Sequence, residues 1–253
     1  MRILILGGTA EARRLAARLA GRGGLGVTLS LAGRTAQPAP QPVPVRMGGF
    51  GGADGLARYL RDEQIDVLID ATHPYAAVIS ANAARAAGTA GVKLLALRRP
   101  PWTKVDGDNW IEVASVEAAV AALGQAPRRV FVALGRKELQ PFATAPQHDY
   151  LIRSVDPVDP PLAVPHATYL TARGPFSEVE DHALLERHGI ETIVAKNSGG
   201  EATYGKIAAS RALRLPVVML KRPALTDVPS VATVEEVVGW LDHAMAPSTA
   251  RGV

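Results

Sequence analysis

Four apolar residues, Ile3–Leu6, run directly into Gly7-Gly8-Thr9, and a helical pattern rich in Ala and Leu begins at once. No other stretch constrains the fold as tightly, because this order describes a buried strand, a tight glycine turn and a helix N-terminus in succession. Glycine lets the main chain approach a ligand closely. The first turn of a helix carries N–H groups without intrahelical partners and the positive end of the helix dipole, so such a turn suits a phosphate. An ordinary strand–helix turn that binds nothing has the same form. The dinucleotide fingerprint G-x-G-x-x-G is met only at Gly7. Thr9 and Ala12 replace the other glycines, Thr9 offering a hydroxyl to a phosphate and Ala12 staying small enough for close helix–strand packing.

The same rhythm continues. Strands are predicted over 27–31, 65–69 and 92–97, with helices ending near Gly21, covering about 53–62, and running from Pro74 to about Ala87. Pro74 suits a first helical position. Gln37–Pro44 is proline-rich and reads as loop, and Gly48-Gly49-Phe50-Gly51-Gly52 follows Val45-Arg46-Met47 as a flexible turn. Arg98–Trp110 breaks the pattern and reads as a connection between domains. Beyond it, Ser115 caps a helix to about Leu123, and strands are predicted over 130–134, 150–155, 169–172, 190–195 and 217–220. Ser177 with Glu180 forms a capping box for a helix reaching His188, a helix covers about 201–213, and Thr233 with Glu236 caps the last helix, to about Met245. Such alternation predicts an α/β protein with two Rossmann-like domains built on parallel sheets. Residues 1–98 form the expected cofactor domain, 99–245 the expected substrate domain, and 246–253 a flexible tail.

Parallel sheets bind ligands outside the carboxyl ends of their strands. The unusual short motifs of this chain fall at those ends, which describes one cleft between the two domains. In the first half they are Gly7-Gly8-Thr9-Ala10-Glu11, Gly33-Arg34, Gly48-Gly49 and Thr72-His73-Pro74. Arg34, past the second strand, suits a 2′-phosphate and so NADPH rather than NADH, or is a solvated loop arginine. His73 suits a cofactor contact or a proton carrier, or is bonded to backbone at the helix start. In the second half Arg136, Lys137, Arg173, Lys196 and Lys221 make a basic rim of strand ends, suited to a substrate bearing several carboxylates. Asn197-Ser198-Gly199-Gly200, with Tyr204 just beyond, reads as a second anion or amide site or as a plain glycine-rich loop.

Composition narrows the classes. Cysteine is absent from the 253 residues, which excludes disulfides, thiolate catalysis and cysteine metal sites. The histidines lie at no metal-ligand spacing, so no metal is expected. A net charge of +4 without a basic run, and aromatics at 5%, speak against nucleic acid. No apolar run approaches the roughly 18 residues of a membrane span, and no signal peptide is evident, so a cytoplasmic protein is expected.

The motifs Ile-Leu-Gly-Gly-Thr-Ala-Glu-Ala-Arg (5–13), Asp-Ala-Thr-His-Pro-Tyr-Ala (70–76), Leu-Gly-Arg-Lys-Glu (134–138), Ala-Arg-Gly-Pro-Phe (172–176) and Lys-Asn-Ser-Gly-Gly (196–200) together resemble the precorrin-6A reductase (CobK/CbiJ) family, over about residues 1–245. The resemblance implies NADPH-dependent hydride transfer to a ring double bond of precorrin-6A, giving precorrin-6B in cobalamin biosynthesis. The expected substrate is thus a macrocycle with acetate and propionate arms, and the cofactor NADPH. Gly7, Gly8, Thr9, Ala10, Glu11, Arg34, Gly48, Gly49, Thr72, His73 and Pro74 are the expected cofactor contacts. Arg136, Lys137, Arg173, Lys196, Asn197, Ser198, Gly199, Gly200 and Tyr204 are the expected substrate contacts. His73, Tyr75, Lys137 and Tyr204 are the candidate proton donors, beside bound water. Two other functions compete. A reductase of another small acidic compound would more often carry Tyr-x-x-x-Lys, whereas Tyr204 and Lys206 are two apart. A non-catalytic NADPH sensor would need no second basic rim.

Overall fold

The computed structural model describes residues 1–33 and 40–245; Arg34 and the expected tail 246–253 lie outside the described residues. In chain order the elements are β1 (Arg2–Leu6), α1 (Ala10–Leu19), β2 (Gly26–Leu31), β3 (Val45–Met47), α2 (Gly52–Asp62), β4 (Val67–Asp70), α3 (Ala77–Ala90) and β5 (Lys93–Leu97). There follow β6 (Asn109–Val113), α4 (Val116–Leu123), β7 (Arg129–Ala133), 3-10 turns at Arg136–Glu138 and Gln140–Thr144, β8 (Asp149–Ser154) and β9 (Ala167–Thr171). The chain closes with α5 (Glu178–Arg187), β10 (Thr192–Lys196), α6 (Gly205–Ala212), β11 (Pro216–Leu220), β12 (Ser230–Val231) and α7 (Val234–Met245).

Two compact units result, Met1–Arg99 with the segment from Ala224 onward, and Pro100–Pro223. The first holds a six-stranded sheet in the order β3-β2-β1-β4-β5-β12, parallel throughout. This is the dinucleotide-binding order, with its reversal between β1 and β4. The central strands are apolar on both faces, as a parallel sheet covered by helices requires. Ile3 and Ile5 of β1 face one core with Leu15 and Leu19 of α1 and Val237 and Leu241 of α7. Leu4 and Leu6 face the other, with Leu56 and Leu60 of α2 and Ala83 and Ala86 of α3. Each fully buried side chain of this size contributes about 1.5–3 kcal/mol.

The second unit also carries a parallel six-stranded sheet, in the order β6-β11-β10-β7-β8-β9, which reverses between β10 and β7. Phe131, Ile193 and Met219 meet Leu185 of α5 and Ile207 of α6 on one face.

The helix starts follow local chemistry. Thr9, Ser115 and Ser177 each accept a backbone N–H through the side-chain oxygen, and Glu180 and Glu236 close boxes on Ser177 and Thr233. The sequence expectations need correction elsewhere. Pro74 does not open α3: it lies in a turn, and the helix begins at Ala77 and runs to Ala90. Residues 201–204 are turn, so α6 begins at Gly205. Asn109 and Trp110, assigned to a connection, start β6, which pairs with β11 over five residues. Residues 224–245, assigned to the second domain, return to the first. There β12 pairs with β5, α7 packs against α1, and Arg22 bonds Asp242 at 2.6 Å.

Candidate active site

The first unit builds its site at the β1/β4 reversal. The turn after β1 brings Gly7, Gly8 and Thr9 to the start of α1. A Cβ on Gly7 would come within 2.6 Å of the Leu29 side chain, so any larger residue there would push the buried Leu29 aside. Gly8 has φ +113, and a Cβ built on it meets nothing within 4 Å. Open space therefore stands over the turn, bordered by the N–H groups of the first helical turn, Ala10 and Glu11 included, which have no carbonyl four residues back to bond. That donor set fits a pyrophosphate. The Thr9 hydroxyl, expected to reach a phosphate, is committed twice: it donates to the Ala71 carbonyl at 2.8 Å and accepts from Ala12 N–H at 3.1 Å. Its single hydrogen is spent on the chain, and what Thr9 offers a ligand is its backbone.

Glu11 lies in the first turn of α1, where its carboxylate would compete with an anionic ligand. It is held by Arg99, just past β5, at 2.5 Å, and by Arg14 at 3.4 Å. At the end of β4, the buried Asp70 accepts from the Thr72 hydroxyl at 2.6 Å and its N–H at 3.2 Å. His73 Nδ1 accepts from Tyr75 N–H at 3.3 Å, and the two rings lie 5.6 Å apart. His73 and Tyr75 are partly exposed, and Pro74 between them is buried. Gly48 and Gly49 follow β3, two strands from β1. Arg46, lying on the Phe50 ring at 3.8 Å, donates to both their carbonyls, at 2.6 and 2.8 Å. This presents the turn in one shape.

The second unit repeats the arrangement at its β7/β10 reversal. Residues 135–138 follow β7, Lys196 ends β10 and residues 197–200 follow it. Arg136 and Lys137 are exposed here. Lys196 is paired with Glu138, whose other carboxylate oxygen accepts from Gly135 N–H at 3.0 Å. A carboxylate of the chain itself thus lies beside the lysine expected to meet a substrate carboxylate. Asn197 is likewise engaged: its amide accepts from Trp102 N–H at 2.7 Å and donates to the Trp102 carbonyl at 2.9 Å. Arg222, after β11, donates to the carbonyls of Asn197 and Ser198 at 2.9 and 3.0 Å and of Pro100 at 3.1 Å. Gly199 has φ +67, and a Cβ there would lie 2.1 Å from the Pro100 carbonyl. The Asn197–Gly200 loop is therefore a rigid clamp around residues 100–102. Arg173 is exposed at the end of β9, two strands from β7. The Tyr204 hydroxyl accepts from Arg211 at 2.6 Å.

The sequence assigns no site role to Arg46, Trp102 or Glu138, offers Arg99 and Arg222 only within linker and strand-end strings, and marks Lys206 only by its spacing from Tyr204. Trp102 and Arg222 do stand in the conspicuous strings Arg-Arg-Pro-Pro-Trp and Lys-Arg-Pro. Nothing local pairs Trp102 with a residue 95 positions away. Among the described residues no group of three or more His, Asp or Glu could hold a metal ion, and no helix is long and apolar enough to cross a membrane.

Known proteins agree with this architecture over its whole length. The family model for precorrin-6x reductase CbiJ/CobK matches residues 2–242. A precorrin-6A reductase of Sinorhizobium sp is 57% identical over 247 residues, covering 98% of this chain and 95% of the relative. That of Rhodobacter capsulatus is 51% identical over 253 residues, covering 100% and 99%. A solved structure described as CobK precorrin-6A reductase superposes with a TM-score of 0.92 at 50% identity, covering 100% of this chain and 99% of that one. With the dinucleotide-type sheet, the glycine turn at its reversal and identity above one half across nearly all of the chain, this protein belongs to the precorrin-6x reductase CbiJ/CobK family.

Proposed function

We propose that this chain is an NADPH-dependent reductase that converts precorrin-6A to precorrin-6B in cobalamin biosynthesis. The observation that carries the reading is the β3-β2-β1-β4-β5-β12 order with Gly7-Gly8-Thr9 at its reversal, in a chain of this family. A reductase on a Rossmann-like fold suggests a nicotinamide cofactor; the finer assignment to NADPH rests on Arg34, by its place in sequence past β2. When bound, the cofactor supplies the hydride.

The chain's own residues divide the remaining work. The N–H groups from Gly8 to Glu11 bind the pyrophosphate, with Arg99 neutralising Glu11 so that the helix end keeps its positive character. Gly48, Gly49, Thr72 and His73 border the same site at neighbouring strand ends, with the buried Pro74 next to His73. In the second unit Arg136, Lys137, Arg173 and Lys196, with Ser198, Gly199 and Gly200, receive the carboxylate arms of the macrocycle, since charge-assisted pairs orient such groups. Asn197 and Tyr204 support that loop through Trp102 and Arg211. A proton must reach the carbon beside the reduced one, and His73, Tyr75, Lys137, Tyr204 or water delivers it.

The test is incubation of the purified chain with NADPH and precorrin-6A while following the visible spectrum and the nicotinamide absorbance. Loss of NADPH that requires the macrocycle, and a slower reaction with NADH, is the expected result. NADPH left unoxidised, or NADH preferred by the wild type, overturns the assignment.

A further inference from the structure

Lys206 has no part in the function above, yet it is one of the most deeply placed charges in the second unit, 4% exposed. Its Nζ donates to the Thr203 carbonyl at 2.6 Å and lies 5.0 Å from the centre of the Trp102 ring. Arg153 on β8 and Asp181 on α5 face it and pair with one another. On its own helix, Arg211 turns to Asp108 and to the Tyr204 hydroxyl. Burial pushes the amine down to about 7, with Arg153 adding to the shift and Asp181 opposing it.

Trp102 is the hub of the same region. Its backbone takes both ends of the Asn197 amide, its indole N–H donates to the Gly200 carbonyl at 2.8 Å, and its ring lies 5.6 Å from that of Tyr204. Lys206 therefore meets the clamp through the Trp102 ring, while its bond to the Thr203 carbonyl fixes the amine to the turn that follows the loop. A methionine would fill this space without desolvating an amine, so packing alone gives no reason for a lysine.

We propose that Lys206 is a positioning residue for the 196–200 loop: its amine, bonded to Thr203 and lying against Trp102, holds the Trp102–Asn197 clamp and so aims Lys196 and Ser198. The proposal rests on the reading that this loop meets the substrate carboxylates.

The experiment uses the full chain carrying Trp110→Phe and Trp240→Phe, so that indole emission reports Trp102, with and without Lys206→Met. Trp102 emission should change with pH as the buried Lys206 amine, pushed down to about 7, loses its proton, and should become flat in Lys206→Met. That variant should unfold at the same or a higher temperature, which a merely structural lysine would not allow. Its KM for precorrin-6A should rise about tenfold, while kcat and the NADPH Kd stay within about twofold. Emission independent of pH in the parent chain, or an unchanged substrate KM in Lys206→Met, overturns the proposal. Lys196→Ala, measured in parallel, separates the two readings. If it raises KM and Lys206→Met does not, the proposal falls and the loop keeps its role. If neither raises KM, the loop reading itself is wrong. Should Lys206→Met not fold, the pH dependence of KM in the parent chain decides: a midpoint shared with Trp102 emission supports the proposal, and a flat profile overturns it.

Discussion

The Thr9 hydroxyl donates to the Ala71 carbonyl at 2.8 Å, joining the carboxyl ends of β1 and β4 where the first sheet reverses. The same oxygen caps α1 by accepting from Ala12 N–H. One side chain therefore sets both the start of the helix and the distance between the two turns expected to hold the cofactor.

Thr9→Val keeps the shape and removes both bonds. The loss of a cap and a part-buried hydrogen bond should together lower stability by about 2 kcal/mol. Urea denaturation should show a lower midpoint with an unchanged slope, and Thr9→Ser should restore it. A Thr9→Val midpoint equal to wild type would mean the two bonds contribute nothing net.

Gly8→Val adds a side chain where φ is +113 and space is open. Crowding of the pyrophosphate should abolish NADPH binding, as measured by calorimetry. The backbone is also strained, so the variant should lose about 1–3 kcal/mol of stability even without cofactor. A crystal structure with the pyrophosphate far from residues 7–11 would refute the first half of this prediction.

Glu138 holds Lys196 at the second reversal. Glu138→Gln keeps an acceptor for Gly135 N–H but removes the competing charge. Affinity for precorrin-6A should then rise by about 1 kcal/mol, roughly fivefold in KM, and more at low salt. Weaker binding in this variant would mean that Glu138 positions the lysine rather than competing for it.

Stability should depend on pH through Lys206. In the unfolded chain its amine titrates near 10.5 and in the folded chain at about 7. Below both values each state holds the proton, and the penalty of burying the charge is complete. Between them the unfolded state binds more protons, so raising the pH through this window favours folding. The gain in denaturation midpoint on moving from about pH 7 to about pH 9.5 should shrink in Lys206→Met. Equal gains in the two proteins would contradict a buried, proton-poor lysine.

Local chemistry determined much of this protein. The apolar runs Ile3–Leu6 and Val217–Leu220, the glycine turn at residue 7, and the Ser115, Ser177 and Thr233 caps are each legible within a few residues, because strand burial and helix capping act at that range. The motifs at the strand ends carried the family as well. Tertiary structure alone decided the rest. The two-residue strand β12 has no periodicity to read and exists because β5 presents an open edge some 130 positions earlier. Its pairing, with the burial of Val237 and Leu241 against α1, returns the chain to the first unit. At the second reversal, sequence showed Lys196 and Asn197 as groups offered to a ligand, whereas folding brings Glu138 to one and Trp102 to the other. Lys206 reads as an ordinary helical lysine until β8 and α5 close around it with Arg153 and Asp181. Partners of this kind are selected by proximity in three dimensions, and no spacing along the chain encodes them.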